Sequence, residues 1–276
     1  MSHSYERELT AALEAVRTAS QICRAVQAEI SPAAVEKQDR SPVTVADFAS
    51  QAAICRVIGD LFPDDPIIGE EDAGFLRGPE NVGFLSKVQQ AVGVALGATT
   101  SAEICDWIDR GGANAYSPRF WTLDPIDGTK GFLRKEQYAV SLALIVDGRI
   151  ELGVLACPNL TRAGRLGETT GCLFSAVRGR GAEVRPLASA DSEGAPVRVS
   201  GISDPQGARL CESVESGHSS HGDSEEIAAR LGLIQEPVRL DSQAKYAVVA
   251  EGAADIYLRL PTRKDYRERI WDHAGG

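Results

Sequence analysis

The chain has 276 residues, 43% hydrophobic and 25% charged, the balance of a globular enzyme with enough apolar side chains for a substantial core. Its formal charge of -10 and pI near 5.0 exclude a broad electrostatic attraction for nucleic acid polymers or anionic membranes. A phosphorylated substrate would have to be met by local cations.

Apolar residues recur at helical spacing over 5–30 (Leu9, Leu13, Val16, Ile22, Val26), and Ser31-Pro32 closes the run. A second amphipathic helix is expected after Ser41-Pro42, with Thr44 as its N-cap and Asp47 in its first turn, reaching Leu61 before Pro63. The next stretch predicts helices over 80–96 and 101–108, then a glycine-rich connection at Gly111-Gly112. From there the texture is that of strands, at 120–123, 139–146, 150–156 and 172–177, with Asp147-Gly148 as a hairpin turn; an antiparallel sheet flanked by helices follows. Residues 186–196 are small and polar and read as a surface loop or a domain connection. Beyond Ser203, strands at 209–214, 238–240 and 255–258 alternate with helices at 224–231 and 243–250, the rhythm of a small α/β layer.

Cys23, Cys55, Cys105, Cys157, Cys172 and Cys211 are scattered, with no C-x-x-C pair and no His-Cys spacing that suggests zinc, so reduced thiols are expected. The stretch from Met1 to Leu13 mixes charges and lacks the apolar core of a signal peptide, and no segment has the apolar length of a membrane span. The expectation is a soluble cytoplasmic protein and a monomer.

The strongest local signal is Asp124-Pro125-Ile126-Asp127-Gly128-Thr129, placed after the apolar run Phe120-Trp121-Thr122-Leu123. Strand ends are where α/β enzymes set catalytic groups, and two carboxylates held near a proline can converge on one site. Hard divalent cations such as magnesium take oxygen ligands, and phosphoryl transfer uses them to neutralise charge and activate water. Taken alone, the motif also fits an Asx-type turn in which the aspartates only cap backbone groups. A second acidic cluster, Gly69-Glu70-Glu71-Asp72, follows Pro66-Ile67-Ile68 and reads either as a solvated loop or as one with a carboxylate turned inward; a third candidate is Asp272, in Trp271-Asp272-His273.

The four runs Ser41-Pro42-Val43-Thr44-Val45-Ala46-Asp47, Gly69-Glu70-Glu71-Asp72, Asp124 to Thr129 with Lys130-Gly131-Phe132, and Trp271-Asp272-His273-Ala274 resemble the ordered motifs of the lithium-sensitive, magnesium-dependent phosphatases of the inositol monophosphatase superfamily. Three further runs, Gly217-His218-Ser219-Ser220-His221, Asp241-Ser242-Gln243-Ala244-Lys245-Tyr246 and Tyr257-Leu258-Arg259-Leu260-Pro261, resemble its 3'(2'),5'-bisphosphate nucleotidase branch.

The resemblance implies an α/β (α+β) sugar-phosphatase-like fold, a layered α/β/α/β/α sandwich, with an N-terminal α+β domain over 1–200 and a C-terminal α/β domain over 201–276. It implies two or three Mg2+ ions held by Glu70, Asp124, Asp127, Asp272 and the backbone carbonyl of Ile126, with Asp47 and Thr129 positioning and deprotonating the attacking water. Gly128, Thr129, His218, Ser242, Lys245, Arg259 and Asp272 would meet a small-molecule nucleotide bisphosphate, from which the 3'-phosphate is removed. Without the resemblance, Lys245 reads better as a helix-surface lysine and Arg259 as a salt-bridged strand residue. His221 reads as a polar loop residue, His273 as structural, and Trp107, Trp121 and Trp271 as core or cap residues.

Relatives continue beyond the Trp271-Asp272-His273-Ala274 motif with a long helix and further strands. The last layer is therefore expected to be incomplete, Asp272 to sit on a frayed terminus, and stability to be lowered. Two other readings stay open: an inositol or sugar phosphate phosphatase, and a catalytically impaired fragment that only binds nucleotide or a partner.

Overall fold

The protein is described by a computed structural model that covers residues 5–30, 41–164, 167–214, 221–260 and 267–276. Helix α1, Glu6–Glu29, turns a stripe of small residues inward (Ala11, Ala12, Ala15, Ala19) with Val16, Ile22 and Cys23. Helix α2, Ser41–Leu61, answers with Ala46, Ala49, Ala52 and Ala53 beside Ile54 and Ile58. Alanines on facing ridges let two helices approach closely, and α1 and α2 form the most extensive helix pair of the structure. The chain is already helical at Ser41, so Thr44 lies inside α2 instead of capping it, and Asp47 falls in the second turn.

Helix α3, Val82–Leu96, follows a 3-10 turn at Pro79–Asn81, and α4, Ser101–Asp109, opens on a capping box between Thr100 and Glu103. Between and after these helices runs a seven-stranded sheet of β1, Ile67–Ile68; β2, Arg119–Asp127; β3, Ala139–Val146; β4, Arg149–Gly164; β5, Gly167–Val177; β6, Gly181–Pro186; and β7, Ala195–Val197. Strands neighbour one another in chain order; β1 runs parallel to β2 and every later pair is antiparallel. Residues 186–196 are thus the connection from β6 to β7 within this sheet. The β3–β4 hairpin closes on Asp147 and Gly148, both at positive φ (50° and 73°), the left-handed geometry of the tight turn that the Asp-Gly pair predicts.

The strands alternate cleanly between two cores. Val140, Leu142 and Leu144 of β3, Leu152, Val154 and Ala156 of β4, and Leu173 of β5 pack with α1 and α2. Ala139, Leu155, Cys157, Cys172 and Phe174 project to the other face, against Cys211, Ala244, Ala247 and Val248. A period of two is what a sheet covered on both faces requires. The second face is met by a three-stranded parallel sheet of β8, Leu210–Glu212; β9, Val238–Arg239; and β10, Ile256–Tyr257, in the order β10-β8-β9. It carries α6, His221–Leu231, and α7, Ala244–Ala250; between β2 and β3 lies the short helix α5, Thr129–Leu133.

All six cysteines are free and buried. Among the described residues, no helix is long and apolar enough to cross a membrane.

Candidate active site

Strand β2 does not stop at Leu123 but continues through Asp127, so Asp124 and Asp127 belong to the strand itself. In a regular strand, residues three apart point to opposite faces. The pairing of β2 with β3 slips between Asp124 and Asp127, a bulge that breaks the alternation and lets both carboxylates serve one site. Asp124 is 2% exposed, and its buried Oδ1 has no hydrogen-bond partner among the described residues. Burial pushes its carboxyl well above the ordinary range, and Asp127, Glu70, Asp47 and Asp272 add their charges in that order.

Helix α2 assembles the near wall. Ser50 Oγ donates to the carbonyl of Pro125 at 2.9 Å, fixing the helix to the end of β2. Gln51, fully buried, donates from Nε2 to the carbonyls of Glu71 (2.6 Å) and Ile108 (3.1 Å) and accepts at Oε1 from the Glu71 amide (3.0 Å). The Glu70-Glu71 loop is therefore docked on α2 one turn beyond Asp47. A Cβ on Gly69 would come within 2.5 Å of Gln51 Oε1, so the docking uses the bare glycine. Asp47 is half-buried, and its carboxyl is held well above the usual range by burial and then by Glu71 and Glu70. Glu70 opens to solvent; burial of its carboxyl by surrounding atoms, then Glu71, Asp272 and Asp127, raise it to about 7 against a smaller opposing pull from Arg269.

The far wall comes from the Asp241–Gln243 turn and α7. The Gln243 amide donates to Asp127 Oδ2 at 2.5 Å, and its side chain accepts from Ser141 Oγ on β3 (3.2 Å) and donates to the Trp271 carbonyl (3.0 Å). Asp127 is raised by burial, offset in part by Lys245 and by that amide. Ser242 is buried at φ +69, an unusual conformation for a non-glycine residue, and its Oγ accepts from the Ala244 amide at 3.1 Å. Lys245 is 4% exposed, far from a helix-surface lysine: its Nζ donates to the Leu240 carbonyl at 3.2 Å and lies 5.5 Å from the Tyr257 ring centroid. Burial lowers its pKa, against the attraction of Asp127.

Asp272 ends a 3-10 turn, Ile270–Asp272, seated against β2 and β3, with Ala274 buried beside Ala143 and Ile145. The frayed setting expected for it is not what the structure has. Arg259 pairs with Glu268 at 2.9 Å and with Asp272 at 3.4 Å, so it is salt-bridged as the sequence reading had it, but it lies beyond β10 and not in a strand. His273 lies between Tyr246 (Oη to Nδ1, 2.7 Å) and Glu268 (Nε2 to Oε2, 2.8 Å), the structural setting expected of it. Among the described residues, the trio whose ligand atoms all lie within 4.8 Å of one another is Glu268, Asp272 and His273.

Thr129 heads α5 on its exposed side, α5 packs on α2, and the Gly128 carbonyl before it accepts from the Phe132 amide at 2.9 Å. Ile126 is 2% exposed in the same bend. His218 lies outside the described residues. The structure thus draws Asp47, Glu70, Asp124, Asp127 and Asp272 into one electrostatic neighbourhood, with Lys245 facing it. Sequence reasoning missed Ser50, Gln51 and Gln243, which position the loops; the one available signal was a glutamine one turn after Asp47 on the same helix face.

An all-oxygen set of crowded carboxylates, one with an orphaned buried oxygen, is what a hard divalent cation would satisfy: it neutralises the mutual repulsion and supplies the missing partner.

The chain is 43% identical to the 3'(2'),5'-bisphosphate nucleotidase of Schizosaccharomyces pombe, covering 99% of this chain and 82% of that one. It is 42% identical to 3'(2'),5'-bisphosphate nucleotidase 1 of Arabidopsis thaliana, at 99% and 82% coverage. Among solved structures, the fold resembles CysQ from Bacteroides thetaiotaomicron, a bacterial member of the inositol monophosphatase family (TM-score 0.61, 18% identity, 98% of this chain and 84% of that one). It also resembles SuhB from Mycobacterium tuberculosis (TM-score 0.60, 22% identity, 99% and 82%). The pattern of the inositol monophosphatase family matches residues 4–276, and the chain belongs to that family.

Proposed function

We propose that this enzyme hydrolyses the 3'-phosphate of 3'-phosphoadenosine 5'-phosphate, giving AMP and phosphate, in a magnesium-dependent reaction, with the sulfate-donor form of the nucleotide as a second substrate. The observation that carries the reading is the orphaned Asp124 oxygen amid converging carboxylates, facing the buried cation of Lys245. The identity of 42–43% over 99% of the chain to bisphosphate nucleotidases supports the nucleotide over other phosphate esters.

Glu70, Asp124, Asp127, Asp272 and the Ile126 carbonyl would hold magnesium, in two or three ions. When bound, the metal neutralises phosphate charge and lowers the pKa of a coordinated water. A threonine hydroxyl is a poor base by itself, so Thr129 orients the water and passes its proton to Asp47, whose ionised carboxylate is made a stronger base by burial. The water oxygen bonds to phosphorus, the bond to the ribose 3'-oxygen breaks, that oxygen takes a proton from solvent water, and Asp47 returns its proton to solvent. Lys245, Arg259, Ser242 and His218 would meet the remaining phosphate and the nucleoside. For Arg259 this means exchanging Glu268 and Asp272 for phosphate, a bidentate partner its guanidinium fits equally well. On this reading the site lies between a unit over 1–200 and one over 201–276.

The test is phosphate release from 3'-phosphoadenosine 5'-phosphate and from inositol 1-phosphate, with magnesium and with chelator. Magnesium-dependent release from the nucleotide in preference to the inositol ester is expected, and Asp124→Asn should lower it at least about a hundredfold. Preference for inositol 1-phosphate, or nucleotide binding with no release from either, would sink the proposal.

A further inference from the structure

The segment that follows Asp124 and Asp127 at the end of β2 and the turn that carries Ser242 are pressed together more tightly than a side chain at the contact would allow. A Cβ on Gly128 would lie 2.9 Å from Ser242 Cβ, and one on Gly131 would lie 2.0 Å from the Gln137 carbonyl and 2.9 Å from Asp241 Oδ2. The Gln137 carbonyl belongs to the same α5–β3 segment as Gly131, so the close approach across to the turn is to the Cβ of Ser242 and the side chain of Asp241. Gly128 also sits at φ +91, so its lack of a side chain serves both the bend and the approach. Across the same contact, Arg134 donates to Asp241 at 2.6 Å, from a guanidinium also held by Glu136 at 2.6 Å. Asp241 is 6% exposed and the Arg134 side chain 31% exposed, which makes this a half-buried ion pair. Asp241 opens the turn that leads, four residues on, to Lys245.

We infer that Gly131 and the Arg134–Asp241 ion pair form a clasp that sets the spacing between the carboxylate loop and the Ser242–Lys245 turn, and so act as positioning residues for the second phosphate of the substrate. None of the three touches the reacting atoms. The inference rests on the substrate reading above, because only a doubly phosphorylated ligand spans both sides of the contact. If the clasp opens, Asp127 loses the Gln243 amide and Lys245 moves away from the carboxylates, while Asp124, Glu70 and Asp47 stay fixed by β2 and α2. The clasp should therefore govern nucleotide affinity more than metal affinity.

The experiment compares Arg134→Gln, Asp241→Asn, the double variant, Arg134→Lys and Gly131→Ala with wild type. Calorimetry follows binding of magnesium alone and of 3'-phosphoadenosine 5'-phosphate in chelator, where no turnover occurs, and steady-state kinetics separates KM from kcat. Arg134→Gln and Asp241→Asn should each weaken nucleotide binding and raise KM about tenfold, with magnesium affinity within about twofold and kcat within about threefold of wild type. The double variant should be no worse than either single one, and Arg134→Lys should recover part of the loss. Gly131→Ala should behave like the ion-pair variants; if it does not fold, the ion-pair variants still decide. Unchanged nucleotide affinity in folded Arg134→Gln would overturn the inference. So would an equal fall in magnesium and nucleotide affinity, which a purely structural pair would give. Should wild type turn over inositol 1-phosphate instead, the substrate reading fails by that assay alone, and the clasp is judged by whether the variants still separate calorimetric nucleotide binding from magnesium binding.

Discussion

At the scale of single residues, the site stores repulsion. Burial raises the carboxyls of Asp124, Asp127, Glu70 and Asp47 above their ordinary range; neighbouring acids then raise Asp124, Glu70 and Asp47 further, while Lys245 and the Gln243 amide pull Asp127 part of the way back. An acid whose pKa is higher folded than unfolded binds more protons in the native state between the two values, so stability falls as pH rises through that interval. For Glu70 the interval runs from 4.5 to about 7. The metal-free protein should therefore melt at a higher temperature near pH 5.5 than near pH 8, and magnesium should raise the melting temperature most at pH 8, where the carboxylates are ionised. Thermal scans in chelator and in magnesium across this range would check it; a metal-free melting temperature that rises steadily from pH 5.5 to 8 would contradict the carboxylate account. The motif aspartates were visible in the sequence because proline and glycine mark the bend around them. Gln243 was not, since an amide that serves Asp127, Ser141 and Trp271 at once is defined only by the tertiary contact.

At the scale of elements, α2 is the piece that organises the near wall, through Ser50 and Gln51 as much as through Asp47. Replacing Gln51 by leucine keeps the volume but strands the Glu71 amide and two carbonyls in a buried setting. The expected cost is about 2–3 kcal/mol of unfolding free energy, with weaker magnesium binding because the Glu70 loop is released. Urea denaturation and metal titration of Gln51→Leu would measure both; a change under about 0.5 kcal/mol would mean water replaces the amide. Long elements with strong periodicity, such as α1 and β3, were read close to their true bounds, as was the Asp147-Gly148 turn. The strands β6 and β7 were not, because Gly-Ala-Glu-Val-Arg-Pro and Ala-Pro-Val carry almost no alternation and are held by backbone pairing to β5 and to each other. Thr44 misled as a cap because a threonine after Ser-Pro looks the same from sequence whether the helix starts there or earlier.

At the scale of the whole molecule, the central sheet is covered on both faces, and the cysteines fall inside the two cores that result. Burial pushes every one of these thiols up, Cys172 and Cys211 to about 11 and Cys55 to about 12, which leaves essentially no thiolate at neutral pH. An aromatic disulfide reagent should find no fast-reacting thiol in the native protein and six after denaturation. A single rapid equivalent in the native state would show that one core opens locally.

The carboxylates that meet at the site come from α2, from the segment after β1, from the end of β2 and from the 3-10 turn at Ile270–Asp272, so nearly the full length of the chain separates the first from the last. A site of such high contact order has no local precursor: during synthesis, Asp47, Glu70, Asp124 and Asp127 are all made long before Asp272 exists to join them. Magnesium added to a refolding reaction should consequently leave the rate of early collapse unchanged and slow unfolding instead, acting as a lock on the finished molecule.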